Sequence, residues 1–201
     1  MPAKEIITLD TTQATAYSLV EEAGIFDEKL ESRILSALLK LPPVFLASLK
    51  SSSDVMNRAL TIRLISLVNP QKNDSVLVVG IEDGFAVALF ESLNLRVFVL
   101  ESNGIKAQKV RKSLDQYQFT KAITVVAPIE KGLAEYAPYD CILLNGIPKK
   151  IPFEIVSQLS NSHGKIVSLV GDEFTQQVTL YTKTDQEISR TKFEIVQGYQ
   201  N

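Results

Sequence analysis

The chain has 201 residues, 45% of them hydrophobic and 22% charged, with a net charge of −2. That composition fits one globular domain, or one with an extension, and excludes a disordered or collagen-like chain. A pI near 5.6 leaves no basic excess to draw it onto nucleic acid or an anionic membrane.

Scarce residues narrow the chemistry further. One Cys (Cys141), one His (His163) and no Trp exclude an internal disulfide framework and a structural zinc site. The opening residues, MPAKEIITLDTT, lack the apolar core and cleavage site of a signal peptide. No apolar run reaches the roughly 18 residues of a transmembrane helix, so the expected setting is cytoplasmic.

In chain order, Thr11 or Thr12 caps a first helix that runs to Ala23 and stops at Gly24. Asp27 caps a second, with Leu30, Ile34, Leu35, Leu38 and Leu39 on one face, ended by Leu41-Pro42-Pro43. Ser53 or Asp54 caps a third, with Leu60, Leu64, Ile65 and Val68 inward. The pattern changes at Asn69-Pro70. An N-terminal helical extension, 1–69, is therefore expected to pack on a core of residues 70–201, one structural domain overall.

Beyond Pro70, strands and helices alternate. Ser75–Val79, Arg96–Leu100, Ala122–Val126, Tyr139–Leu144 and Gly164–Val170 read as strands, their continuous apolar runs suited to a parallel sheet covered on both faces. Gly84–Leu93, Ile105–Tyr117 and Pro152–Leu159 read as helices between them. Gln177–Thr182 and Ile188–Val196 follow without a helix and read as an antiparallel hairpin turning at Thr184-Asp185-Gln186. The predicted fold is α/β, a doubly wound and mostly parallel sheet with an antiparallel C-terminal hairpin.

Ligands of such sheets bind beyond the carboxyl ends of the strands. There the chain reads Val78-Val79-Gly80-Ile81-Glu82-Asp83-Gly84. Gly80 and Gly84 permit positive φ and close approach to the backbone, and the next helix offers unpaired N–H groups. Glu101 ends the second strand about 20 residues on, where an acid can accept both hydroxyls of a ribose. Asp140 and His163 lie at the opposite ends of their strands; Asp140 reads as structural and His163 as a solvated turn residue. Cys141 reads as a buried, inert thiol, and Lys106, Lys109, Arg111 and Lys112 as a solvated helix face.

Taken together, these motifs resemble those of the protein-L-isoaspartate (D-aspartate) O-methyltransferases, in particular short bacterial members. The resemblance rests on Gly24-Ile25 and Asp27, Ile34–Pro42, Ser75–Leu89, Val99-Leu100-Glu101, Ala137–Ile142, Ile151-Pro152 and Ser162–Val170. It implies a Rossmann-like class I methyltransferase that binds S-adenosylmethionine and methylates the carboxyl group of isoaspartyl residues in proteins or peptides, for protein repair. By the same resemblance, Gly80, Gly84 and Glu101 would bind the cofactor. Ser52, with Ser53 nearby, would orient the acceptor carboxylate. No metal, nucleic acid or membrane is implied, and the chain would act as a monomer or weak dimer.

The chain departs from the family pattern at Val78, where an acid is usual, at Glu82, where Gly is usual, and at Pro128. The stretch between Leu41-Pro42 and Ser51-Ser52-Ser53 is also short. An alternative is therefore a degenerate, catalytically inactive member acting as a binding or scaffold protein. Whether Glu82 fills the cavity above Gly80 and Gly84 discriminates the two. An NAD-dependent enzyme fits less well, because Ala86 stands where the dinucleotide fingerprint needs a third Gly.

Overall fold

The computed structural model describes residues 10–47, 52–145, 150–171, 175–185 and 187–197, with the backbone alone at 47, 52–57 and 194–197. Helix α1 (Thr11–Ala23) is capped by Asp10 and not by Thr11 or Thr12, so it starts one or two residues earlier than expected. Asp10 Oδ1 accepts from Gln13 N at 2.8 Å, and Gln13 Oε1 accepts from Asp10 N at 3.1 Å. This reciprocal capping box leaves Thr11 and Thr12 inside the first turn. Gly24, in the left-handed region at φ +59°, ends the helix. Asp27 caps α2 (Glu28–Leu38) through the N–H groups of Lys29 and Leu30.

Two further N-terminal expectations need correction. Helix α2 stops at Leu38, and Pro43 opens a further short helix, α3 (Pro43–Ala47). Proline suits a first helical position because its φ is preset and its missing N–H would have had no partner there. Helix α4 (Ser52–Val68) already contains Ser53 and Asp54, so neither is its cap.

The sheet follows as β1 (Ser75–Val79), β2 (Arg96–Glu101), β3 (Ile123–Val126), β4 (Cys141–Leu144), β5 (Gly164–Gly171), β6 (Thr175–Thr184) and β7 (Glu187–Gln197). Its spatial order is β3-β2-β1-β4-β5-β6-β7. Strands β1 to β5 pair in parallel, and β6 and β7 add antiparallel. Strand β4 is shorter than expected, because Tyr139 only bridges to Leu159. That bridge also shortens the following helix, α7 (Phe153–Ser157). Helices α5 (Phe85–Ser92) and α6 (Gly104–Gln116) connect β1 to β2 and β2 to β3, while β3 reaches β4 through two 3-10 turns, Ile129–Lys131 and Ala134–Tyr136.

Alternation along the strands divides the core in two. Val76, Val78, Val97, Val99, Cys141, Leu143 and Val167 face one cluster with α1, α2, α4, α5 and α6. Leu77, Val79, Leu100, Ile142, Leu144 and Ile166 face the other, closed by Leu133, Ile155, Val156 and Leu159. Both faces of the central strands β1 and β4 are thus dry, which is why each reads as an unbroken apolar run, whereas β3 at the sheet edge exposes Ile123 and Val126. From β1 the chain winds outward to β2 and β3, then returns to β4 on the other side. The carboxyl ends of β1 and β4 therefore flank the switch point.

Candidate functional site

Gly80 and Asn145 close the two strands at that switch point. Gly80 N–H donates to Leu100 O at 2.8 Å, Asn145 N–H donates to Val79 O at 2.9 Å, and Asn145 Nδ2 donates to Gly80 O at 2.9 Å. Gly80 has φ +77°, and a Cβ on it would lie 3.2 Å from Asn145 O. Gly84 has φ +90°, and a Cβ there would come within 2.9 Å of Val110 Cγ1 and 3.2 Å of Leu114 Cδ2. Each glycine is demanded by the backbone and by a neighbour, before any ligand is considered.

Above this turn lies a cavity of about 240 Å³, walled by Arg58 and Thr61 of α4, Val78, the loop from Ile81 to Gly84, the start of α5, and Asn145. A second, of about 380 Å³, lies toward α3 and α6, where Val44, Phe45, Lys106 and Lys109 join Arg58, Glu82 and Asp83. Two of the lysines expected on a solvated face thus also border a cavity. Glu82 is exposed and stands between the two spaces without filling either. Desolvation at the cavity rim, with the neighbouring Asp83 charge, raises its pKa above the ordinary carboxylate value, against the pull of Lys106 and Arg58.

Glu101 lies where its spacing from the turn placed it, at the end of β2 and buried. Its carboxylate holds the turn directly. Oε2 accepts from Ile81 N at 2.9 Å, and Oε1 accepts from Asn103 N at 2.9 Å and from the Ser102 hydroxyl at 3.4 Å. Lys106 Nζ stands 3.9 Å from Oε2. Burial alone would raise its pKa, but the N–H groups of Ile81 and Asn103, the Lys106 charge and Ser102 outweigh it and hold the carboxyl below its ordinary value. A carboxylate has about four acceptor sites; three are taken by these donors, and Glu101 lines neither of the two cavities.

Ser52 and Ser53 fall in the first turn of α4, and their side chains lie outside the described residues. The other candidates sort by position. Asp140 Oδ2 accepts from Ser75 N at 2.9 Å, at the amino end of β1. Cys141 is buried, and desolvation, helped by the Asp74 charge, pushes its thiol up to about 12. His163 is exposed in the turn before β5, and Pro128 caps the first 3-10 turn.

Arg58 was not among the candidates. It sits on α4 at 4% exposure. Its Nη2 donates to Asp83 Oδ2 at 2.9 Å, and its guanidinium carbon lies 4.6 Å from the Phe85 ring centroid. Its Nε and Nη1 have no hydrogen-bond partner among the described residues. The signal was present in the helical spacing: Arg58, Ile62 and Ile65 share one stripe, and both isoleucines are fully buried. A cation in an apolar stripe marks a buried charge.

Comparison with known proteins adds the following. The family model for protein-L-isoaspartate(D-aspartate) O-methyltransferase matches residues 43–197. A protein-L-isoaspartate O-methyltransferase of Methanospirillum hungatei JF-1 is 25% identical over 66% of this chain and 61% of its own. Another, from Syntrophobacter fumaroxidans, is 29% identical over 60% of this chain and 56% of its own. The chain thus spans about six tenths of the length of these curated relatives. One from Chromobacterium violaceum is 25% identical over 92% of this chain and 93% of its own. Among solved structures, a protein-L-isoaspartate O-methyltransferase superposes with a TM-score of 0.76 at 17% identity, over 92% of this chain and 64% of that one. A Plasmodium falciparum structure, titled a putative protein-L-isoaspartate O-methyltransferase in complex with S-adenosyl-L-homocysteine, gives 0.72 at 13% identity, over 94% and 97%. The shared fold is Rossmann-like, with the antiparallel strands at the C-terminus.

Proposed function

Because this chain belongs to the protein-L-isoaspartate (D-aspartate) O-methyltransferase family, we propose that it transfers a methyl group from S-adenosylmethionine to the free carboxyl of isoaspartyl residues in proteins or peptides. The observation that carries this reading is the open cavity on the Gly80–Gly84 turn, at the switch point of the sheet. Glu82 borders that cavity instead of blocking it, which disfavours the degenerate, non-catalytic alternative.

The residues present suit such a cofactor. Gly80 and Gly84 hold the turn at positive φ. Glu101 clamps Ile81 N–H and is assigned, by family resemblance, to the ribose hydroxyls. Asn145 fixes the far wall through Gly80 O. When bound, the cofactor supplies an electrophilic methyl on a sulfonium. The acceptor carboxylate is already ionised near neutral pH, so no general base is required of the chain. Its task is to hold donor and acceptor in line, and positioning of that kind lowers barriers by roughly 7–11 kcal/mol. Ser52 and Ser53 are assigned, by family resemblance, to orienting the acceptor carboxylate. The product ester can close to a succinimide and hydrolyse, which is the chemistry of backbone repair.

We further infer a cytoplasmic setting and a monomeric or weakly dimeric state. The lone, buried Cys141 supports the first, and among the described residues no helix is long and apolar enough to cross a membrane. The decisive assay offers labelled S-adenosylmethionine with an isoaspartyl peptide and with its aspartyl counterpart. Base-labile methyl ester is expected on the isoaspartyl peptide alone, and Glu101→Ala should remove most of it. No ester at millimolar concentrations of both substrates overturns the proposal.

A further inference from the structure

We propose that Arg58 is a carboxylate anchor, and that with Glu82 it clamps the α-amino-acid end of the methyl donor in the cavity above the glycine turn. This rests on the cofactor reading above and adds a recognition element to it.

The guanidinium is permanently charged and carries five N–H donors. At 4% exposure Arg58 is cut off from bulk water, yet among the described residues only Nη2 has an acceptor, the Asp83 carboxylate at 2.9 Å. Phe85 covers one face of the group. Nε and Nη1 are buried without a hydrogen-bond partner among the described residues, in a side chain that lines an open cavity. Orphan donors on a buried charge are among the more costly features a folded chain can carry. A ligand carboxylate removes that cost and gains a charge-assisted hydrogen bond.

The surrounding charges specify which carboxylate. The same cavity is bordered by Glu82 and Asp83. Asp83 is engaged by Arg58, whereas Glu82 makes no hydrogen bond or salt bridge among the described residues. A simple anion would be drawn by Arg58 and repelled by Glu82. A group with an ammonium beside its carboxylate satisfies both. The amino-acid end of the donor has that pairing. An isoaspartyl residue within a peptide does not, because its nitrogen is acylated. Glu82, a departure from the family pattern that would repel a lone carboxylate, is in this arrangement the ammonium partner.

Calorimetric titration of the full chain tests this with S-adenosylhomocysteine, which carries the amino-acid end, and 5′-methylthioadenosine, which lacks it. Arg58→Gln is expected to weaken the first by roughly ten- to hundredfold and leave the second unchanged, as loss of a charged hydrogen bond requires. Arg58→Lys should recover part of the loss, and Glu82→Gln should show a smaller selective loss. Circular dichroism of each variant confirms the fold, and should Arg58→Gln not fold, the Lys and Glu82 variants carry the comparison. Equal weakening of both nucleosides, or of neither, overturns the clamp. If S-adenosylhomocysteine binding is unmoved and KM for an isoaspartyl peptide rises instead, Arg58 holds the acceptor's carboxylate and the donor assignment is overturned. If the wild type binds neither nucleoside, the cofactor reading fails. The anchor is then judged separately with L-methionine: a shift of the Arg58 Nε–H resonance upholds it, and no shift ends it.

Discussion

Glu101 shows how a functional residue and a structural one coincide. Its position was legible, because a strand ending in an acid about 20 residues after a glycine turn is a recognisable spacing. Its occupation was not. That Oε2 takes Ile81 N–H and Oε1 takes Asn103 N–H depends on the path of two loops, which no spacing encodes. The consequence is testable without any ligand. Glu101→Gln sets an amide N–H₂ where one oxygen faced a donor, and the expected cost at neutral pH is about 1–3 kcal/mol. The folded carboxyl is held below its ordinary value, so between the folded and unfolded pKa the unfolded chain binds more protons. The stabilisation is therefore present above the ordinary carboxylate pKa and lost as pH falls through the folded one. Urea denaturation of both proteins at neutral pH and in acid should show the gap closing in acid. A gap that stays constant with pH would mean that the Glu101 charge contributes nothing. Arg58 is the opposite case: its stripe was readable, but an Arg at one helical position gives no hint of which acceptors it lacks.

At the scale of elements, Asp27 and Gly24 were readable because they act within a few residues of themselves, whereas Asp10 caps α1 in place of its threonines and Ser53 and Asp54 lie inside α4. Helix α3 escaped because Pro43 serves both as a stop signal and as a helix start, and only the backbone decides between them. Links between elements escaped as well, since their partners are distant in sequence. Glu91, in the last turn of α5 and 6% exposed, accepts from Lys121 N at 3.1 Å and Ala122 N at 2.8 Å. It thereby secures the entry to β3, about 30 residues along the chain. Glu91→Ala leaves those two N–H groups without their acceptor, and an expected loss of about 2–3 kcal/mol follows. Glu91→Gln keeps a carbonyl acceptor and should lose less. Equilibrium urea unfolding ranks the two variants, and equal losses would show that packing, not the hydrogen bonds, is what Glu91 provides.

For the molecule as a whole, the division near Asn69-Pro70 is a change of pattern, and we propose that it is not a boundary of stability. Leu19, Ile34, Leu38, Ile62 and Ile65 are buried in the same apolar cluster as Val76, Val78, Leu143 and Val167. The sheet is two-faced, and among the described residues the second face is closed only by short 3-10 turns and the five-residue α7. Without α1 to α4, the first face of β1, β4 and β5 would lie partly bare, and each buried aliphatic side chain exposed forfeits about 1.5–3 kcal/mol. Folded domains hold only about 5–15 kcal/mol in reserve, so a handful of such exposures exceeds it. The site would go with the fold, because Arg58 reaches the glycine turn from α4. A fragment of residues 70–201 is therefore expected to lose near-UV circular dichroism and bind a hydrophobic dye while keeping much of its far-UV signal. Cooperative thermal unfolding of that fragment with a native near-UV spectrum would show instead that the helical segment is an addition to a self-sufficient core.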